Sequence, residues 1–234
     1  MAERVAVYAG TENVYPQMYT SLKSLLINNK MDRVYLLIES DEFPFYLPKN
    51  VIPLNVKDQT YFPKDAPNTI SQYTYMELLR CTLSQIFPNE KEVLWLDIDT
   101  IIDDDITDLF DLDMRGYFYA GCAEPMVCNR IFTYINVGVV LCNLDLLRKM
   151  NKETEMIYFL NTYKFTWPAQ DVINLLSQAR IRRIDSEYNA NDWCSVITRP
   201  RIYHFAAKKI EEYTKNWVYR KYERADMPID GLEK

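Results

Sequence analysis

The chain is 234 residues long, enough for one large domain with a substantial buried core. Its net charge of −6 argues against a nucleic-acid partner, for which a basic excess is expected. The five cysteines (Cys81, Cys122, Cys128, Cys142 and Cys194) form an odd set without Cys-x-x-Cys spacing, so neither a disulfide framework nor a zinc site is indicated.

Val5 to Ala9 reads as the first strand. The apolar positions Val14, Met18, Leu22, Leu25 and Leu26 then recur at helical spacing. Arg33 to Ile38 and Val51 to Leu54 are the next strands, and the prolines and aromatics between Asp41 and Asp65 suggest an ordered loop rather than a linker. Tyr75, Leu78, Leu79, Leu83 and Ile86 predict a second helix, stopped by Pro88-Asn89. Val93 to Leu96 is apolar without alternation, the signature of a strand buried on both faces, and it ends in two carboxylates, Asp97 and Asp99. Tyr117–Ala123 and Val137–Cys142 read as strands and Asp145 to about Asn161 as a helix. Val172, Leu175, Leu176 and Ala179 mark another helix, and Arg201–Phe205 a last strand. This order predicts one domain over residues 1–234, a three-layer α/β/α fold with a mostly parallel mixed sheet. Residues from about 208 to 234 would form a C-terminal helical extension. The five glycines make neither a Gly-x-Gly-x-x-Gly pattern nor a P-loop, which excludes a standard dinucleotide dehydrogenase and a P-loop NTPase. No signal peptide precedes Val5 and no apolar run is long enough to span a bilayer, so a cytoplasmic location is expected.

In open α/β sheets ligands bind beyond the carboxyl ends of the strands, where Asp97-Ile98-Asp99 stands. Two hard oxygen ligands there suit Mg²⁺ or Mn²⁺ carrying a substrate phosphate. Residues i and i+2 of an extended strand point the same way, so one cation can reach both. Three other readings compete. The aspartates can simply hold loop amides at a capped strand end. A calcium loop fails, because Ile101 and Ile102 occupy the positions that need an oxygen ligand and a glycine. A phosphatase of the haloacid dehalogenase type, with Asp97 as nucleophile, fits locally, but such enzymes carry the motif on their first strand. The run Asp103-Asp104-Asp105 reads as an exposed cap to the turn that follows. His204 is the only histidine; in an apolar strand it is most often a core residue, yet neutral imidazole is also a common transition-metal ligand that suits Mn²⁺ better than Mg²⁺.

Val93-Leu-Trp-Leu-Asp-Ile-Asp-Thr-Ile-Ile102, followed by Asp105-Ile-Thr-Asp-Leu-Phe110, resembles the metal-binding segment of family 8 glycosyltransferases. Four further segments match in the family's order. They are Tyr8-Ala-Gly-Thr-Glu-Asn-Val-Tyr15 with Ser21-Leu-Lys-Ser-Leu25, then Tyr134-Ile-Asn-Val-Gly-Val-Val-Leu-Cys-Asn-Leu144. Gln170-Asp-Val-Ile-Asn174 follows, leading into Ile184-Asp-x-x-Tyr-Asn189, and Ile202-Tyr-His-Phe-Ala206 is the last. Together they cover residues 5 to about 210.

The resemblance implies a GT-A type fold and a retaining hexosyltransferase that uses a UDP-sugar and Mn²⁺, or Mg²⁺, held by Asp97, Asp99 and His204. It implies donor contacts from Ala9, Thr11, Asn13, Tyr15, Arg80, Ile98, Asn136, Gly138 and one of Lys208 and Lys209. Gln170 would lie near the sugar face opposite the leaving group, with Asp171 beside it as the second catalytic candidate. For Asp171 the plain alternative is a carboxylate favoured by a helix N-terminus; for Arg80 it is a surface arginine. Two departures stand out: Ala169 occupies a position that is acidic in many members, and Ala206-Ala207 follow the histidine where the family tends to have glycine, with the next lysine displaced. An inactive fold kept to bind nucleotide-sugars is therefore an alternative to the transferase. The acceptor, whether glycan, lipid-linked sugar or protein, would be read by loops near Glu124–Arg130 and Tyr188–Arg199. Lys208 to Arg224 mixes six basic residues and three acidic ones with Tyr213, Trp217, Tyr219 and Tyr222. It can rest weakly on an anionic membrane or pack on the domain.

Overall fold

Alternation along each strand splits the core into two faces. Val5, Val7, Val93, Trp95, Val140 and Cys142 bury into one layer, and Ala6, Tyr8, Leu94, Leu96, Val139 and Leu141 into the other. The structure, a computed structural model, describes residues 3–69, 74–124, 127, 133–192 and 199–228. Cys128, Cys194 and much of the two loops assigned to the acceptor lie outside the described residues, while Cys81, Cys122 and Cys142 are buried.

Described strands are β1 (Val5–Ala9), β2 (Arg33–Ile38), β3 (Val51–Asn55), β4 (Glu92–Leu96), β5 (Thr100–Ile102), β6 (Tyr119–Ala123), β7 (Ile135–Asn143), β8 (Ile181–Ile184) and β9 (Ile202–His204). Seven form one sheet in the order β3-β2-β1-β4-β7-β6-β8. β7 runs antiparallel to both its neighbours, and the other pairs are parallel. The expected mixed, mostly parallel sheet is therefore present. β5 and β9 form a separate antiparallel ribbon that pairs Thr100 with His204.

Described helices are α1 (Tyr15–Asn28), α2 (Tyr75–Leu78), α3 (Leu83–Ile86), α4 (Leu144–Lys149), α5 (Lys152–Thr162), α6 (Pro168–Ser177), α7 (Ile210–Tyr213) and α8 (Trp217–Glu223). The helix expected over 75–86 is interrupted. Thr82 leaves helical geometry at φ −134°, and its buried hydroxyl donates to the Leu79 carbonyl at 2.8 Å. The one expected over 145–161 is two, because Asn151 adopts the left-handed conformation (φ 49°) that asparagine tolerates. In α6 the buried face is Ala169, Val172 and Ile173, whereas Leu175 is exposed.

α1 covers the β5–β9 ribbon and serves it with side-chain hydrogen bonds. Ser24 Oγ accepts from Ile102 N at 2.9 Å, and Asn28 Nδ2 donates to the Ile102 carbonyl at 2.9 Å. Of the four C-terminal aromatics, Tyr213, Tyr219 and Tyr222 are buried in a third apolar cluster with Ile101, Phe205 and Val218. Only Trp217 is exposed, so packing accounts for the other three.

Candidate active site

β4 delivers Asp97 to the carboxyl edge of the sheet, and the chain turns there at once, with Thr100 N donating to the Asp97 carbonyl at 3.1 Å. Residues 97–99 thus form a turn rather than an extended strand. Their carboxylates converge through this turn, not through the i, i+2 alternation expected from the sequence. The chain then becomes β5, whose partner β9 carries His204 back to the same point; Phe205 N donates to the Asp99 carbonyl at 3.0 Å. One ligand atom each from Asp97, Asp99 and His204 lies within 4.8 Å of the others. His204 Nε2 is 3.3 Å from Asp99 Oδ1 and 4.0 Å from Asp97 Oδ2.

Asp97 and His204 are held from behind. Asp97 Oδ1 accepts from Arg80 Nη2 and from Trp95 Nε1, both at 2.8 Å, which leaves Oδ2 to face His204. Arg80 is 4% exposed and stacks on the Trp95 ring, 4.8 Å from its centroid. Its Nη1 donates to the Val137 carbonyl (2.8 Å) and lies 3.5 Å from Asp97 Oδ2, and its Nε donates to the Glu77 carbonyl (2.9 Å). This is not a surface arginine. One Nη2 hydrogen stays uncommitted and can meet an anion. His204 Nδ1 lies 2.7 Å from Asn189 Oδ1, an acceptor, so Nδ1 carries a proton and Nε2 is the nitrogen turned to the carboxylates, with a lone pair there in the neutral ring. Asn189 Nδ2 donates to Asn136 Oδ1, and Asn136 Nδ2 to Glu124 Oε2, each at 3.0 Å. The chain of buried amides therefore fixes the imidazole tautomer that a metal needs.

Burial opposes a charge on His204, but the Asp99 and Asp97 carboxylates outweigh it and raise its pKa above the usual 6.5. Burial likewise opposes ionisation of Asp99, yet the facing His204 holds that carboxyl below its usual range. Two oxygens and one imidazole nitrogen around a common point are the donor set of a divalent cation, with the nitrogen favouring Mn²⁺. Gly138 makes the cluster possible. A Cβ there would lie 2.2 Å from His204 Cε1 and 2.8 Å from Asp97 Oδ2.

Two cavities meet at this cluster. One, of 280 Å³, is lined by Ala9, Thr11, Asn13, Ile98 and Lys208 among others. The second, of 410 Å³, includes Asn136, Gly138, Gln170 and His204, with an apolar wall of Trp167, Pro168, Ala169, Ala206 and Ala207. Glu77, Arg80, Asp97 and Asp99 line both. A larger cleft of 730 Å³ lies at the amino end of β4, around Glu90, Glu92 and Asp145, away from where such sheets bind ligands.

Most residues singled out from the sequence meet here, and three stand apart. Tyr15 is buried and lines neither cavity; its hydroxyl accepts from Glu39 N at 3.0 Å and lies 3.0 Å from Ser40 Oγ. Asp171 accepts from the Tyr134 hydroxyl and from Trp167 N at 2.8 Å, capping the first turn of α6 outside the cavities. Lys209 is exposed, while its neighbour Lys208 reaches the smaller cavity and pairs with Asp192 at 2.7 Å. Sequence reasoning missed Trp95, Glu77, Glu124 and the role of Asn189. Only Asn189 carried a signal, as the end of the Ile184–Asn189 motif. Glu77, pressed by burial and by Asp97 and Asp99 against the pull of Arg80, has its pKa raised to about 7.

The profile of glycosyl transferase family 8 matches residues 4–218. Glycosyltransferase GlyB of Streptococcus pneumoniae is 22% identical over 197 residues, 81% of this chain and 48% of that protein. The structure of glycosyltransferase GlyE from Streptococcus pneumoniae superposes with a TM-score of 0.74 at 20% identity, over 97% of this chain and 62% of that one. Galactosyltransferase LgtC, solved with donor and acceptor sugar analogs, gives 0.67 at 16% identity, over 94% and 95%. The shared fold is of the GT-A type. The chain spans at most about half the length of the curated relatives it matches. Among the described residues no helix is long and apolar enough to cross a membrane.

Proposed function

The chain belongs to glycosyl transferase family 8, and on that footing we propose that it moves a hexose from a UDP-sugar to an acceptor hydroxyl, with retention of configuration and with Mn²⁺, or Mg²⁺, as cofactor. One observation carries this reading: Asp97 Oδ2, Asp99 Oδ1 and His204 Nε2 converge where two cavities join. These three would hold a divalent cation, which would supply Lewis-acid neutralisation of the leaving diphosphate.

The smaller cavity suits the nucleotide. Ala9 offers backbone groups to the base, Thr11 and Asn13 offer side-chain polar atoms, and Ile98 gives an apolar surface. Lys208 adds positive charge, and Arg80 lines both cavities beside the junction where the diphosphate would lie. Both act in a partly water-excluded site, where fixed charges stabilise a growing anion more than they do in water. The larger cavity suits the hexose and the entering hydroxyl. Gln170 Oε1 accepts from Val137 N at 3.2 Å, which fixes its amide on the wall of this cavity, and the carbonyl keeps a second lone pair. From there its carbonyl can stabilise positive charge at an oxocarbenium-like carbon without attacking it.

The phosphatase alternative gives way to the family assignment. Its nucleophile would have to be Asp97, whose Oδ1 is occupied by Arg80 and Trp95. A screen that follows UDP release with Mn²⁺ across several UDP-sugars tests the reading. One donor should be slowly hydrolysed well above the rest, and Asp99→Ala should abolish that release. Binding of UDP-sugars with no hydrolysis or transfer across the panel would instead indicate the catalytically silent alternative.

A further inference from the structure

The larger cavity presents a sugar with an unequal pair of walls. Trp167, Pro168, Ala169, Ala206 and Ala207 offer little besides apolar surface, so hydroxyl recognition has to come from the opposite side. Most polar groups there are already committed. Asn136 Oδ1 accepts from Gly138 N and Asn189 Nδ2, while Asn136 Nδ2 donates to Glu124. Gln170 Oε1 takes Val137 N, and Arg80 is spent largely on Asp97 and two carbonyls. Among the described residues that line this cavity, and apart from the two aspartates, Glu124 Oε1 is enclosed without a hydrogen-bond partner and no side chain hydrogen-bonds the Glu77 carboxylate.

Glu77 occupies a particular place. It sits on α2, one turn before Arg80, and α2 packs against α6, which carries Ala169 and Gln170. It is half-buried and lines both cavities, at the junction with the aspartates. A carboxylate there repels a diphosphate, so its presence needs a compensating contact. A vicinal pair of sugar hydroxyls supplies one, since each hydroxyl donates to one carboxylate oxygen and the group gives up water without losing hydrogen bonds.

We propose that Glu77 is a specificity-determining residue that binds hydroxyl groups of the transferred hexose, facing the apolar wall at Ala169. The inference rests on the UDP-sugar reading above, and it assigns the choice of donor to α2 rather than to α6. A site built to accept from a hydroxyl discriminates strongly against an analogue lacking it, because the carboxylate is then left buried and unpaired.

The test compares wild type with Glu77→Gln and Glu77→Asp, using UDP, UDP-glucose, UDP-galactose and the monodeoxy forms of whichever sugar is preferred. With Mn²⁺ present, Glu77→Asp should bind UDP within about twofold of wild type and Glu77→Gln at least as tightly as wild type, which also reports that both are folded. For the preferred UDP-sugar, kcat/KM should fall by about 10–100-fold in Glu77→Gln and by less in Glu77→Asp. One monodeoxy donor should lose as much with wild type and lose little more with the variant. Equal shifts for UDP and UDP-sugar, or equal losses across every deoxy donor, would overturn the proposal. Failure of wild type to bind UDP with Mn²⁺ would instead bring down the underlying transferase reading.

Discussion

At the scale of single residues, the site depends on one absent side chain. Gly138 read from the sequence as a position where a ligand approaches closely; the structure shows the approaching groups to be the His204 ring and Asp97. Gly138→Ala should therefore displace the His204 ring or Asp97 Oδ2 by about an ångström; we expect loss of at least tenfold in Mn²⁺ affinity, measured by calorimetry, with the protein still folded. The pH dependence of metal binding follows from His204. Its pKa is raised above 6.5, so the proton competes with the metal from a pH higher than for a free imidazole. Mn²⁺ affinity should fall as pH drops through that raised pKa, by about tenfold per unit once below it, and His204→Gln should flatten the profile. The grouping of Asp97, Asp99 and His204 was legible because a lone histidine and an Asp-x-Asp stood in a family pattern. Glu77 and Trp95 were not, since a glutamate on a short helix and a tryptophan in an apolar strand carry no periodic or compositional mark of a site.

At the scale of elements, long apolar strands were read to within a residue or two, as with β1 and β2. The misses have local causes. β5 is three residues long and β8 reads Ile-Arg-Arg-Ile, so neither shows a usable hydrophobic period. β5 matters most, because its pairing with β9 is what brings His204 to the aspartates. The turn after β9 keeps a strained residue: Ala207 has φ 59°, a conformation open to glycine and costly for alanine. The departure from glycine noted in the sequence is thus accommodated by the backbone rather than by a different turn. Ala207→Gly should raise stability by about 0.5–1 kcal/mol in urea unfolding, the relieved strain exceeding the added chain entropy. A loss of stability would show that the Ala207 methyl packs usefully against the cavity wall.

At the scale of the whole molecule, the C-terminal helix α8 is tied to the first helix and to the segment that follows β5. Lys23 Nζ donates to the carbonyls of Glu223 and Ala225, at 2.8 and 2.9 Å. The Tyr222 hydroxyl accepts from Asn28 Nδ2 and donates to Asp103 Oδ1, each at 2.7 Å. Asp103, expected as an exposed cap, is in fact the anchor of α8 and also pairs with Lys221 at 2.6 Å. Tyr222→Ala should cost about 3–5 kcal/mol by cavity formation, and Tyr222→Phe about 1–2 kcal/mol by loss of the hydroxyl. Equal effects in chemical denaturation would assign the whole cost to the hydrogen bonds. These ties hold α1 and α8 beside β5, and on the pairing of β5 with β9 the functional claim rests. It is tested most directly by calorimetric titration of UDP into the wild-type protein and Asp99→Ala, with and without Mn²⁺. The account predicts binding by wild type that strengthens at least tenfold with Mn²⁺, and a metal effect that vanishes in Asp99→Ala. Absence of UDP binding with Mn²⁺, or binding unchanged by the substitution, would contradict it.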